Sequence, residues 1–186
     1  MPVFNTLHLL ADLKGEIENQ ITRVKELAFH STEVLLRVPP SGGWNVAQVI
    51  EHLNTYNVYY NPAIKSGLGI SKHGFNPKFS SGILGNYFTN SMLPKSCTIK
   101  NKMKAFKNHS PLSDLDPAYV SSDFIAHQTE LLSLIEAASK TDLGKIRIPI
   151  SISRLIKLKL GDTLRFLIAH QQRHFVQIEN ILAALS

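Results

Sequence analysis

Cysteine is nearly missing from this chain. Cys97 is the only one among 186 residues, which excludes an internal disulfide and fits a reducing, cytoplasmic compartment. The thiol sits in a Lys-rich stretch with no motif around it, so it reads as incidental rather than as a nucleophile. No charged-then-apolar leader follows Met1, and no apolar run reaches the length needed to span a bilayer, so the expectation is a soluble protein without a membrane partner. Neither charge sign is scarce. Twenty Lys and Arg against fourteen Asp and Glu give +6, spread along the chain. The local cluster Lys95, Lys100, Lys102, Lys104 and Lys107 has only Phe106 as an interleaved aromatic and no nucleic-acid motif around it. It reads as a solvated face, and nucleic acid is not an expected partner.

What is present is apolar sequence in helical rhythm. The hydrophobic fraction is 44% with 18% charged residues, the balance of one ordinary folded domain, here residues 1–186. Val3, Leu7, Leu10, Ile17, Ile21, Val24 and Ala28 recur at steps of three, four or seven and predict a helix from about Asn5 to Phe29. Pro39, Pro40, Gly42 and Gly43 stop any helix. Asn45, with Gln48 three residues on, restarts one by a capping-box variant. This second helix runs to about Ile64, and Gln48, His52, Tyr56 and Tyr59 form a strip along it that looks like a pocket wall.

From Lys65 to Pro117 glycines and prolines break the pattern, leaving room for short helices near Ser80–Asn90 and Lys95–Asn108. A third helix is predicted from Pro117 to Ser139, with His127 on its apolar stripe beside Phe124, Leu131 and Leu134. Ile146, Ile148, Ile150 and Ile152 alternate like a strand. A strand without a partner reads as an extended buried connector between Thr141 and Leu160. Asp162 is then the expected cap of a last helix reaching Leu185. Four long amphipathic helices with a short first link and a long second one predict an all-α four-helix bundle, ordered up-down-down-up, with a long crossover between helices 2 and 3.

The last helix carries His170 and His174 one turn apart on the same face, so both rings can reach one ion. Eight histidines in a chain of this length would produce about 0.3 such pairs by chance. The pair gains weight from the apolar residues along the same helix, Leu167 and Ile181 among them, which turn both rings inward. An inward imidazole is hydrogen-bonded or metal-bound. Two ligands make a weak site. In a bundle His52 can meet the pair across the core, whereas His127 is more simply a hydrogen-bonded core residue and otherwise a fourth ligand or supporting partner. No general base is evident: Glu51 and Glu179 both point well around their helices from the histidines.

The ordered set GWNVAQVIEHL and AHQQRHFVQI, that is W…EHL…HxxxHxxQ, resembles the DinB/YfiT-like superfamily of metal-binding four-helix bundles. The likeness spans nearly the whole chain, Trp44 to Ile181 at least. It implies that His52, His170 and His174 bind a divalent metal, with Zn, Ni or Fe all suited to imidazole, and that Gln177 supports a ligand histidine. It also implies metal-dependent hydrolases or transferases that use a small thiol such as bacillithiol, mycothiol or glutathione on a small-molecule substrate, and homodimers as a common state. Gln48 and Tyr56 are placed to orient such a ligand. Two functional classes follow: a metal-dependent thiol transferase or hydrolase acting on a small electrophile, and a non-catalytic bundle that holds a metal or small molecule in a structural or stress-related role.

Overall fold

In the computed structural model, which describes residues 1–94 and 105–186, four long helices carry most of the chain: α1 (Thr6–Glu26), α3 (Val46–Gly69), α5 (Pro117–Ala138) and α6 (Leu160–Leu185). Two shorter ones, α2 (Thr32–Leu36) and α4 (Ile83–Met92), lie between them. The expected helix over Lys95–Asn108 falls largely outside the described residues, as do Lys95, Lys100, Lys102, Lys104 and Cys97. Its tail is a 3-10 turn, Lys107–His109.

Local chemistry sets the helix starts. The Asn5 side chain accepts from the His8 N–H at the head of α1. At α3 the full capping box forms, with the Asn45 side chain accepting from the Gln48 N–H (2.8 Å) and the Gln48 carboxamide accepting from the Asn45 N–H (3.1 Å). Asp116 caps α5, which opens on Pro117.

Two two-stranded antiparallel sheets qualify the all-α expectation. Strand β1 (Val3–Asn5) pairs with β2 (Lys78–Ser80), setting Phe4 opposite Phe79. The alternating isoleucines do have a partner: β3 (Arg147–Ile150) pairs with β4 (Ser153–Lys159), which corrects the reading of an unpaired connector. Ile148, Ile150 and Leu158 form the buried face of this hairpin. Gly67 lets α3 run against it, since a Cβ there would stand 2.8 Å from the Ile148 side chain.

The hairpin also changes how α6 begins. Asp162 is not its cap. The helix starts at Leu160, and the free amides of Leu160 and Gly161 donate to the carbonyls of Ile146 and Leu143. The Asp162 carboxylate, 1% exposed, instead accepts from the Ser81 hydroxyl and the Gly82 amide (2.8 Å) and pairs with Arg165 (3.3 Å). This buried anchor ties the start of α4 to α6. Gly85 makes room for it, because a side chain there would collide with the carboxylate.

Helix α1 packs beside α5 and α6, and α3 beside the same two. The apolar core falls into two clusters. One joins the first half of α1 (Leu9 to Ile17) and the first half of α6 (Leu160 to Ile168) with the second halves of α3 (Tyr56 to Ile64) and α5 (Leu131 to Ala138). The other joins Val24, Val46 to Leu53, Val120, Phe124, Phe175, Ile178 and Ile181. Each long helix also buries carboxamides: Gln20 on α1, Asn54, Asn57 and Asn61 on α3, Gln128 on α5 and Gln171 on α6. Among the described residues one direct bond links two of these carboxamides, Gln171 Nε2 to Asn57 Oδ1 at 3.1 Å. Among the described residues, no helix is long and apolar enough to cross a membrane.

Candidate metal centre

The polar level between the two apolar clusters also holds the histidines. Because α3 and α6 pack side by side, residues at corresponding depths on their facing stripes meet, and His52 from α3 reaches His170 and His174 from α6. One nitrogen from each ring lies within 4.8 Å of the other two. The His52 and His170 Nε2 atoms are 3.3 Å apart, and those of His170 and His174 are 3.1 Å apart.

The outer nitrogens fix which inner ones carry lone pairs. His52 Nδ1–H donates to the backbone carbonyl of His109 at 2.6 Å, so its Nε2 is bare. His174 Nδ1–H donates to Gln177 Oε1 at 2.8 Å, so its Nε2 is bare too. Both face His170 Nε2. A single proton there serves two acceptors poorly and leaves the buried His170 Nδ1 as an acceptor without a donor; without that proton, three lone pairs converge. Among the described residues His170 Nδ1 has no hydrogen-bond partner. A cation at the convergence point would take up all three lone pairs, with the His170 ring then carrying its proton on Nδ1. Tetrahedral Zn–N bonds of about 2.0–2.1 Å put neighbouring ligand nitrogens roughly 3.3 Å apart, close to the two separations that His170 Nε2 makes here. Three neutral imidazoles suit zinc or another borderline divalent ion.

The surroundings keep the imidazoles neutral. His52 and His170 are 2% and 4% exposed. Burial holds the His52 ring below its ordinary range, opposed in part by the His109 carbonyl. Burial, followed by the neighbouring His174, His52, His109 and Arg173 charges, holds His170 far lower. His174 is pushed down to about 3 by burial and then by His52. Neutral rings are the ligating form, so the pocket pre-arranges the donor set.

Aromatic rings wall the centre. Trp44 lies 4.8 Å from the His52 ring and 6.4 Å from that of His174. Tyr56 packs 4.3 Å from His170 and 4.0 Å from His109. Burial, with Tyr60 beside it, pushes the Tyr56 hydroxyl up to about 12, so it stays protonated and can donate.

Of the residues picked out in the sequence, His52, His170 and His174 converge, Tyr56 touches two of their rings, and Gln177 bonds the third. Gln48 is committed elsewhere: its carboxamide closes the α3 cap and donates to the Leu112 carbonyl. His127 does not join the cluster but lies 3.3 Å from Asp123 on its own helix. His109 and Thr55 carry no signal in the sequence. His109 follows an irregular stretch, and its contact to His52 is made by a carbonyl that every residue possesses.

No curated protein and no solved structure matches the chain. The family model of the DinB superfamily matches residues 9–178, a span that holds His52, His170 and His174 together with Trp44 and Gln177. The chain therefore belongs to the DinB superfamily, and its three-histidine cluster fits a metal-binding protein.

Proposed function

We propose that this protein is a divalent-metal-dependent enzyme that transfers a small thiol to, or hydrolyses, a small electrophile at the His52–His170–His174 centre. The observation that carries the reading is the convergence of three neutral imidazoles, one nitrogen of each within 4.8 Å of the other two, because three protein ligands leave a tetrahedral ion with an open position. When bound, such an ion lowers the pKa of a coordinated water or thiol and polarises a substrate oxygen. The chain's own residues do the rest. His52 and His174 are held as Nδ1–H tautomers by the His109 carbonyl and by Gln177. Trp44 and Tyr56 exclude bulk water from the ligand rings, and the protonated Tyr56 hydroxyl is available to donate to a bound oxygen or sulfur.

We read the four long helices as a single up-down-down-up bundle domain, with the segment between α3 and α5 as its crossover, in a cytoplasmic homodimer acting on a small molecule. The depth of burial of His52 and His170 supports a second reading, a closed non-catalytic metal centre. Elemental analysis of protein purified without a metal-affinity tag, followed by thiol-dependent turnover of a panel of small electrophiles, separates the readings. About one divalent ion per chain with thiol-dependent turnover supports the enzyme. An ion with no exchangeable solvent ligand and no turnover supports the closed centre, and the absence of any ion refutes both.

A further inference from the structure

His109 and Thr55 lie outside the metal-ligand set, yet they form a closed circuit with one ligand. Thr55 Oγ1 lies 2.7 Å from the His52 carbonyl, and a hydroxyl has one proton to give, so it donates there. The same oxygen lies 3.0 Å from His109 Nδ1 and must therefore accept, which makes His109 an Nδ1–H tautomer. The His109 carbonyl in turn accepts from His52 Nδ1–H at 2.6 Å. Each of the three residues donates once and accepts once. One tautomer of each ring completes the cycle, and that tautomer leaves His52 Nε2 bare toward His170 and His174.

The circuit is anchored in the core. His109 is 3% exposed although it belongs to a one-turn 3-10 helix rather than to the bundle. Its ring stacks on Tyr56, centroids 4.0 Å apart, and Tyr56 stacks in turn on the tilted His170 ring. The turn is thus held to α3 by two hydrogen bonds and one ring face, and the carbonyl it presents to His52 goes where the turn goes.

The geometry points to Thr55 and His109 as positioning residues that set the tautomer and aim of His52, so that the 107–109 turn acts as a clasp on the metal centre. This rests on the metal-binding reading, but the circuit uses only this chain's own atoms and can be looked for in metal-stripped protein. The supporting partners of ligand histidines are worth about 10- to 100-fold in metal affinity, and Thr55 acts at one further remove.

The test uses the full chain, ¹⁵N-labelled and stripped of metal. Imidazole nitrogen shifts report each tautomer, and competition against a chromophoric chelator reports zinc affinity. The parent is expected to show His52 and His109 as Nδ1–H. Thr55→Val, which keeps the shape and removes the hydroxyl, is expected to mix the His52 tautomers and weaken zinc binding about 10-fold. Thr55→Ser is expected to restore both. If Thr55→Val does not fold, His109→Phe keeps a ring on Tyr56, removes the donor, and is expected to give the same two changes. A parent His52 protonated on Nε2, or a Thr55→Val protein with unchanged tautomers and zinc affinity, overturns the proposal. A parent with both expected tautomers that takes up no zinc supports the circuit and overturns the metal reading instead.

Discussion

Two buried polar clusters lie about two turns apart on α6, and they differ in whether their valences are filled. Around Asp162 the carboxylate meets a hydroxyl, a backbone amide and a guanidinium, all from this chain. Around His170 two bare nitrogens face a third, and the far side of the ring has no partner among the described residues. Both clusters cost desolvation; the first recovers it at each carboxylate oxygen, the second only at the outer nitrogens of His52 and His174. A filled cluster of this kind fastens helices together. One left open at ligand spacing is shaped for something the chain does not supply.

The contrast is broken most severely at the open cluster. His170→Ala is expected to lower zinc affinity by at least about 10³-fold, roughly 4 kcal/mol, while helical content by circular dichroism is retained. Metal stoichiometry and affinity equal to the parent's would place the ion elsewhere. The filled cluster answers in the opposite currency. Asp162→Ala leaves the Gly82 amide without its acceptor and the Arg165 guanidinium without its buried counter-charge, and is expected to cost about 3–5 kcal/mol in urea unfolding, with one ion still bound per folded chain. A loss under 1 kcal/mol would show that the anchor between α4 and α6 is dispensable.

Acid sharpens the comparison further. The unfolded chain's histidines take up protons near their ordinary value of 6.5. The folded rings of His52, His109, His170 and His174 are all held lower, His109 at about 4 and His174 at about 3. Below pH 6.5 the unfolded state therefore binds more protons than the folded one. Stability of the metal-free protein should be full above that pH and fall as pH drops toward 3. Urea midpoints measured from pH 7.5 to 4.5 check this, and a flat profile would contradict the neutral, buried cluster. The smallest effect belongs to the carboxamides between the apolar clusters. Gln128 has neither side-chain atom bonded among the described residues, so Gln128→Leu is expected to be neutral or to stabilise by about 1 kcal/mol in thermal unfolding. A loss beyond 2 kcal/mol would show that the amide is satisfied by ordered water, making this level a third, filled cluster.

The open cluster was legible in the sequence because its parts obey helical geometry. His170 and His174 are one turn apart on the inward face of an amphipathic helix, and His52 lies on a helix whose start is marked by Trp44, Asn45 and Gln48. The remainder depended on contacts without periodicity. His109 reaches His52 through a backbone carbonyl from an irregular segment. Asp162 reads as a helix cap because an Asp side chain readily accepts from the free amides at a helix start, but its partners Ser81 and Gly82 are far away in the chain. The hairpin is hidden in the sequence for a related reason. Leu158 is the only residue of β4 buried with the isoleucines, so the exposed and bulged second strand shows little alternation of its own.

The most direct measurement is X-ray absorption at the zinc edge of the protein loaded with one equivalent of zinc, compared with the same spectrum for His52→Ala. The account predicts three imidazole nitrogens at about 2.0–2.1 Å in the parent, completed by a light solvent atom, and two imidazoles in the variant. Fewer than three imidazoles in the parent, or a spectrum unchanged by removal of His52, would contradict the convergence of α3 and α6 on one ion.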